Sequence, residues 1–157
     1  MQKLVAALAL AVSAATVLPA GMAFAGPVYT GLEGEVAVGG YDPVAYFTGD
    51  GTPAKGSPEF AVRHGNAVYH FASAANAETF RAAPQRYAPQ YGGHCAWAMA
   101  RGYLAPGDPL QSRVVDGKLY LNYNAEVKAM WVKDIPGFIA SGDTNWPNFP
   151  DDAKFGG

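Results

Sequence analysis

Two stretches of this chain read as strand, tight turn and strand, each followed by a helix, and together they restrict what it can fold into. The first is Phe60-Ala61-Val62-Arg63-His64-Gly65-Asn66-Ala67-Val68-Tyr69-His70-Phe71, with apolar runs on both sides of a glycine turn. The second is Arg113-Val114-Val115-Asp116-Gly117-Lys118-Leu119-Tyr120-Leu121-Asn122-Tyr123, where Asp-Gly supplies the positive φ angles of a two-residue hairpin. A helix is predicted from about Asn76 to Arg81, with Ser73 as its cap and Pro84 closing it. A second is predicted from about Ala125 to Val132, closed by Pro136. Gly65 and Gly117, Phe71 and Tyr123, and Pro84 and Pro136 each stand 52 residues apart, which suggests a duplicated hairpin–helix unit. The fold class expected is α+β: a small single domain of antiparallel β-hairpins packed with short helices.

Such a domain must be held by its core, because the chain has 1 cysteine and no disulfide can form within it. The 19 glycines and 12 prolines indicate short elements and many turns, and the 13% aromatic content supplies large side chains for a small core. Asp42-Pro43 reads as the start of a short helical turn carrying Val44, Tyr46 and Phe47.

Residues 1–25 have the pattern of a cleavable signal peptide. Lys3 is the positive start, Leu4 to Leu18 is apolar, and Ala23-Phe24-Ala25 fits the small-x-small cleavage site, with the cut expected after Ala25. The apolar run is short of the roughly 18 residues of a membrane span, so no membrane insertion is expected after cleavage. The expected product is periplasmic or secreted: a lead-in at 26–39, a domain at 40–149 and a flexible tail at 150–157, with Trp146 and Phe149 pinning the tail to the body. With 11 Lys and Arg against 13 Asp and Glu, and Lys3 lost with the leader, no basic surface is available for nucleic acid.

The chemistry is concentrated in Tyr91-Gly92-Gly93-His94-Cys95-Ala96-Trp97-Ala98-Met99. Thiolate, imidazole and thioether form a soft ligand set that suits copper(I), with zinc the second choice. A helix is predicted from Tyr91 or Gly92 to Ala100, stopping at Gly102. It would place Tyr91, Cys95 and Met99 on one face, with His94 about 100° around from Cys95. Cys95 and Met99 could then share an ion, or pack as core, since free cysteine is among the most buried residue types. His94 is a ligand only at the helix start or the ion's edge; otherwise it is a polar residue on the rim. In its strand His70 faces away from Tyr69 and Phe71, towards solvent or a groove, and His64 sits at an exposed turn. A Cys95–His94 dyad is disfavoured because adjacent helical side chains point apart. A thiol-based activity would need a lowered thiol pKa, which a helix beginning near Gly93 would provide.

Tyr41-Asp42-Pro43-Val44-Ala45-Tyr46-Phe47, Tyr69-His70-Phe71-Ala72-Ser73, Asn76 to Phe80, Pro84-Gln85-Arg86-Tyr87 and Tyr91-Gly92-Gly93-His94-Cys95-Ala96 together resemble the exported YHS-domain proteins, over about Gly40 to Phe149. The resemblance implies a small α+β module associated with metals. It departs from the cysteine-rich members, because Ala72 follows Tyr69-His70-Phe71 where they tend to place a cysteine. The expectation is an exported, non-enzymatic metal-binding module for sequestration or delivery, most readily of copper, with Cys95, Met99, His94 and His70 as metal ligands. No catalytic and no organic-cofactor residues are expected. The alternative is an interaction or structural module of the envelope, with a protein partner, an inert buried cysteine and no metal.

Overall fold

The computed structural model describes residues 26–31 and 34–155. The expected leader and the last two residues of the tail lie outside the described residues. Two antiparallel hairpins appear where the turn chemistry places them: β1 (Ser57–His64) with β2 (Ala67–Phe71), and β3 (Asp108–Val115) with β4 (Lys118–Asn122). Each leads into a helix, α1 (Ala74–Ala82) after the first and α4 (Ala125–Trp131) after the second. Two one-turn helices, α2 (Pro84–Tyr87) and α3 (Ala96–Met99), join the units, and α5 (Ile135–Asn145) closes the chain. The result is a small single-domain α+β arrangement, and no described helix is long and apolar enough to cross a membrane.

The duplication is present, but its spacing is 51 residues. Ser57 and Asp108 open β1 and β3, Phe71 and Asn122 end β2 and β4, and Ser73 and Asn124 cap α1 and α4. Both hairpins carry the same irregularity. Ser57 pairs with Phe71 but Ala61 with His70; Asp108 pairs with Asn122 but Ser112 with Leu121. The turn explains why identical letters mislead. Gly65, at φ 59°, corresponds to Asp116, at φ 49°, so what is shared is the left-handed backbone and not the glycine. Both caps work alike: Ser73 Oγ accepts from the Asn76 N–H at 3.1 Å and Asn124 Oδ1 from the Val127 N–H at 2.8 Å. Pro84 stands just past the C-cap of α1, where a stop is expected, and also opens α2; Pro136 does not close α4, which ends at Trp131. Each lies in the first turn of the helix that follows it, where its missing N–H and fixed φ are tolerated.

Two buried clusters hold the domain together. The first gathers Val62, Tyr69, Phe71, Phe80 and Tyr46 around the first hairpin. The second gathers Tyr91, Met99, Tyr120 and Trp131, with Phe138, Ile139, Trp146 and Phe149 packed against it. β4 divides them: Leu119 and Leu121 belong to the first cluster and Tyr120 to the second.

Asp42 is fully buried and organises the first unit. Its carboxylate accepts from the Val44 N–H at 2.8 Å, the Ala72 N–H at 2.9 Å and Asn76 Nδ2 at 2.6 Å. It thereby ties the Asp42-Pro43 turn to the end of β2 and the start of α1. Asp42→Ala strands these donors and is expected to lower stability by about 3 kcal/mol, whereas Asp42→Asn keeps one acceptor oxygen and loses about half as much. Urea unfolding midpoints of the two variants check this.

Candidate functional site

The segment from Tyr91 to Gly102 does not form one helix. Tyr91, Gly92 and Gly93 have φ of 54°, 59° and 85°, which a right-handed helix excludes. The chain turns here to receive the N-terminal segment: Gly92 O accepts the Tyr29 N–H at 2.9 Å. A Cβ at Gly92 would run into the Pro27 carbonyl, so glycine is required by both backbone angle and space. His94 and Cys95 then continue extended, and only Ala96–Met99 is helical.

This turn decides where each candidate side chain goes. Tyr91 enters the second cluster, its hydroxyl donating to Asp143 Oδ1 at 2.9 Å, with Ile139 O at 3.2 Å as a second acceptor sharing the same proton. Burial first, and then the Asp143 carboxylate, push its pKa up. Met99 is fully buried among Tyr91, Tyr120 and Trp131. Tyr91, Cys95 and Met99 therefore do not form the shared helical face expected of them.

His94 is 2% exposed, and neither imidazole nitrogen has a hydrogen-bond partner. Its ring lies between those of Tyr29 and Trp146, at 5.6 and 6.4 Å. It lines a cleft of about 400 Å³ whose other walls include Pro27, Tyr29, Asn66, Asp151 and Lys154. Burial pushes its pKa down to about 4, so the ring is neutral at neutral pH. The segment Asp151 to Phe155, expected as a tail, forms one wall of this cleft.

Cys95 is 1% exposed, with Sγ 3.9 Å from Asn122 Oδ1. Burial pushes the thiol up, against the opposing pull of the Ala98, Tyr123 and Trp97 backbone N–H groups and the Arg101 charge. An extended backbone sends successive side chains to opposite sides, so Cys95 turns away from the cleft that His94 lines. His70 belongs to the first hairpin, half-buried beside Gly40. His64 packs edge-on to Phe80 at 5.8 Å and is less open than a bare turn residue.

Cys95, Met99, His94 and His70 thus do not assemble into one centre. Among the described residues no group of three or more His, Cys, Asp or Glu side chains is placed to hold an ion. The geometry instead brings in Asn122, which the sequence did not single out, and gives Asp42, expected only as the start of a helical turn, a wider role. Asn122 is fully buried beside the thiol with its Nδ2 unpartnered, and Asp42 is the organising carboxylate of the first unit. Asn122 ends its strand and looks like an ordinary turn residue; only the burial of β4 on both faces makes it significant.

The imidazole gives the fold a pH dependence. An unfolded histidine takes up its proton near pH 6.5, whereas folded His94 refuses it until about 4. Between those values the unfolded state binds more protons, so stability falls as pH drops through the window, by on the order of 3 kcal/mol in all. His94→Gln should flatten this part of the curve, read as the difference in urea midpoint between wild type and variant at pH 7 and pH 4.5.

No family model matches the chain, and neither the curated proteins nor the solved structures yield a match.

Proposed function

We propose that this chain is an exported, non-enzymatic binding module that takes a transition-metal ion at His94, with copper the first choice and zinc the second. The observation that carries this reading is the pair of unpartnered imidazole nitrogens of His94, a residue that lines a cleft; both nitrogens are sealed from solvent, so an ion reaches them only when the packing around the ring opens. A buried polar group without a partner carries a desolvation penalty of about 1–3 kcal/mol, which a ligand would relieve. The ring is neutral at physiological pH, so a lone pair is available without displacing a proton. Asp151 and Asp152 border the same cleft, and the chain is acidic overall, which favours a cation. The protein would supply one imidazole, the remaining positions going to water or to small ligands that arrive with the ion. The resemblance to YHS-domain proteins supports the class of ligand. Lys3, the apolar run and Ala23-Phe24-Ala25 support export.

Titration of the purified, tag-free chain with copper(II) against a competing chelator tests the reading. Binding is expected to fall at least tenfold in His94→Gln and to persist in Cys95→Ser and Met99→Leu. Loss in Cys95→Ser with retention in His94→Gln would return the role to the thiolate. No binding of copper or zinc by wild type would leave an interaction module without metal.

A further inference from the structure

Cys95 is the counterpart, in the second unit, of the buried carboxylate that organises the first. Val38 and Gly39 have φ of 55° and 56°, and Tyr91 and Gly92 have 54° and 59°; Gly40 and Gly93 follow at 75° and 85°. One extended residue comes next, Tyr41 or His94, and then Asp42 or Cys95. The backbone N–H of Asp42 donates to Ala54 O and that of Cys95 to Ala105 O, each at 2.9 Å. The donors around the two side chains also correspond. Asp42 accepts from the amides of Val44 and Ala72. The amides of Tyr123 and Trp97, which hold the same places just past the second strand and two residues on, join that of Ala98 in pulling the Cys95 thiol down against its burial.

Beside Cys95 one buried side-chain amide has an N–H2 group without a partner. In the first unit the side-chain donor is Asn76 Nδ2, from α1. The equivalent position in α4 is Val127, which has none. Asn122 is the polar side chain beside the sulfur here, fully buried, its amide oxygen 3.9 Å from Sγ and facing the thiol, its Nδ2 without a partner; turning the amide over would present that N–H2 to an oxygen on sulfur. A sulfinate presents two oxygens on the atom attached to Cβ, as an aspartate does. From this we propose that Cys95 is a site of S-oxygenation by peroxide, and that its cradle holds the sulfinate as the first unit holds Asp42.

The chemistry balances with hydrogen peroxide as the oxidant. Sulfur attacks one peroxide oxygen, an S–O bond forms and the O–O bond breaks. The leaving hydroxide takes up the thiol proton as water, and Cys95 becomes a sulfenic acid. A second peroxide molecule adds the second oxygen in the same way, again releasing water, and the sulfinic acid loses its proton. Each step oxidises sulfur by two electrons and reduces one peroxide. With 1 cysteine in the chain, no second thiol diverts the sulfenic acid to an intramolecular disulfide. Opening of the fold around a buried sulfur sets the rate; the amides and Asn122 determine which product persists.

The test treats the full chain, in chelator, with hydrogen peroxide. Intact mass and peptide fragmentation should show two oxygen atoms added at Cys95 and no third. Thermal unfolding of the product should come at or above that of the thiol form. Cys95→Asp, which builds in the carboxylate, should unfold at least as high as Cys95→Ser, and Asn122→Leu should abolish that advantage. A thiol that stays unmodified in the folded chain while oxidising in urea would overturn the proposal. So would a sulfinate form that unfolds several degrees lower, progression to the sulfonic acid, or Cys95→Asp falling below Cys95→Ser. None of these readouts involves a metal ion, so they stand apart from the His94 titration.

Discussion

β4 is the constraint on which the rest of this structure depends. Leu119, Tyr120 and Leu121 are all essentially inaccessible, yet they alternate between two clusters, aliphatic side chains towards the first hairpin and Tyr120 towards Trp131. A strand buried on both faces cannot slip by one residue without exchanging Tyr120 and the leucines between cores shaped for the other. Its register therefore fixes how the two units meet. It also fixes the polar end of the strand: Asn122 is sealed in because the residues before it are, and Cys95 bridges to Leu121 beside it.

What could be read from the sequence was what is locally determined. Hairpin turns and helix caps are decided within four or five residues, so Gly65-Asn66, Asp116-Gly117, Ser73 and the helices after each hairpin are legible. The spacing of the repeat is less so, because matching glycine to glycine yields 52 where the backbone repeats at 51. α5 was legible in principle: Ile135, Phe138 and Ile139 stand at helical spacing and bury one face against the second cluster. Taking Pro136 as a stop and not as a first-turn residue hides it.

The candidate site was legible in composition but not in geometry. A lone cysteine beside a histidine stands out in any chain, and counting around an ideal helix then assigns faces. That count fails because Gly92 and Gly93 are in the left-handed region and take the chain out of the helix before it starts. The correcting signal was present. Gly39-Gly40-Tyr41-Asp42 and Gly92-Gly93-His94-Cys95 are the same turn, with a carboxylate in one and a thiol in the other. They stand 53 residues apart, two more than the hairpins, because Asp42 precedes Ala54 by a loop two residues longer than that from Cys95 to Ala105. No single offset aligns both, so comparison at one fixed period misses them.

The two units differ most in how their polar groups are satisfied. In the first, every oxygen of the buried Asp42 carboxylate has a donor. In the second lie all the buried side-chain atoms without a partner among the described residues: both nitrogens of His94, Asn122 Nδ2, and the indole nitrogens of Trp97 and Trp131. Folding alone does not favour that distribution, since each such atom loses its hydration without gaining a bond. A duplicated fold can accommodate it when one copy supplies the rigid half and shares a strand with the other. β4 is that shared strand here, and its leucines anchor the less satisfied unit to the satisfied one. His94 and Cys95 meet different surroundings because the extended backbone turns them to opposite sides of one strand-like segment, the imidazole to the cleft and the sulfur to Asn122.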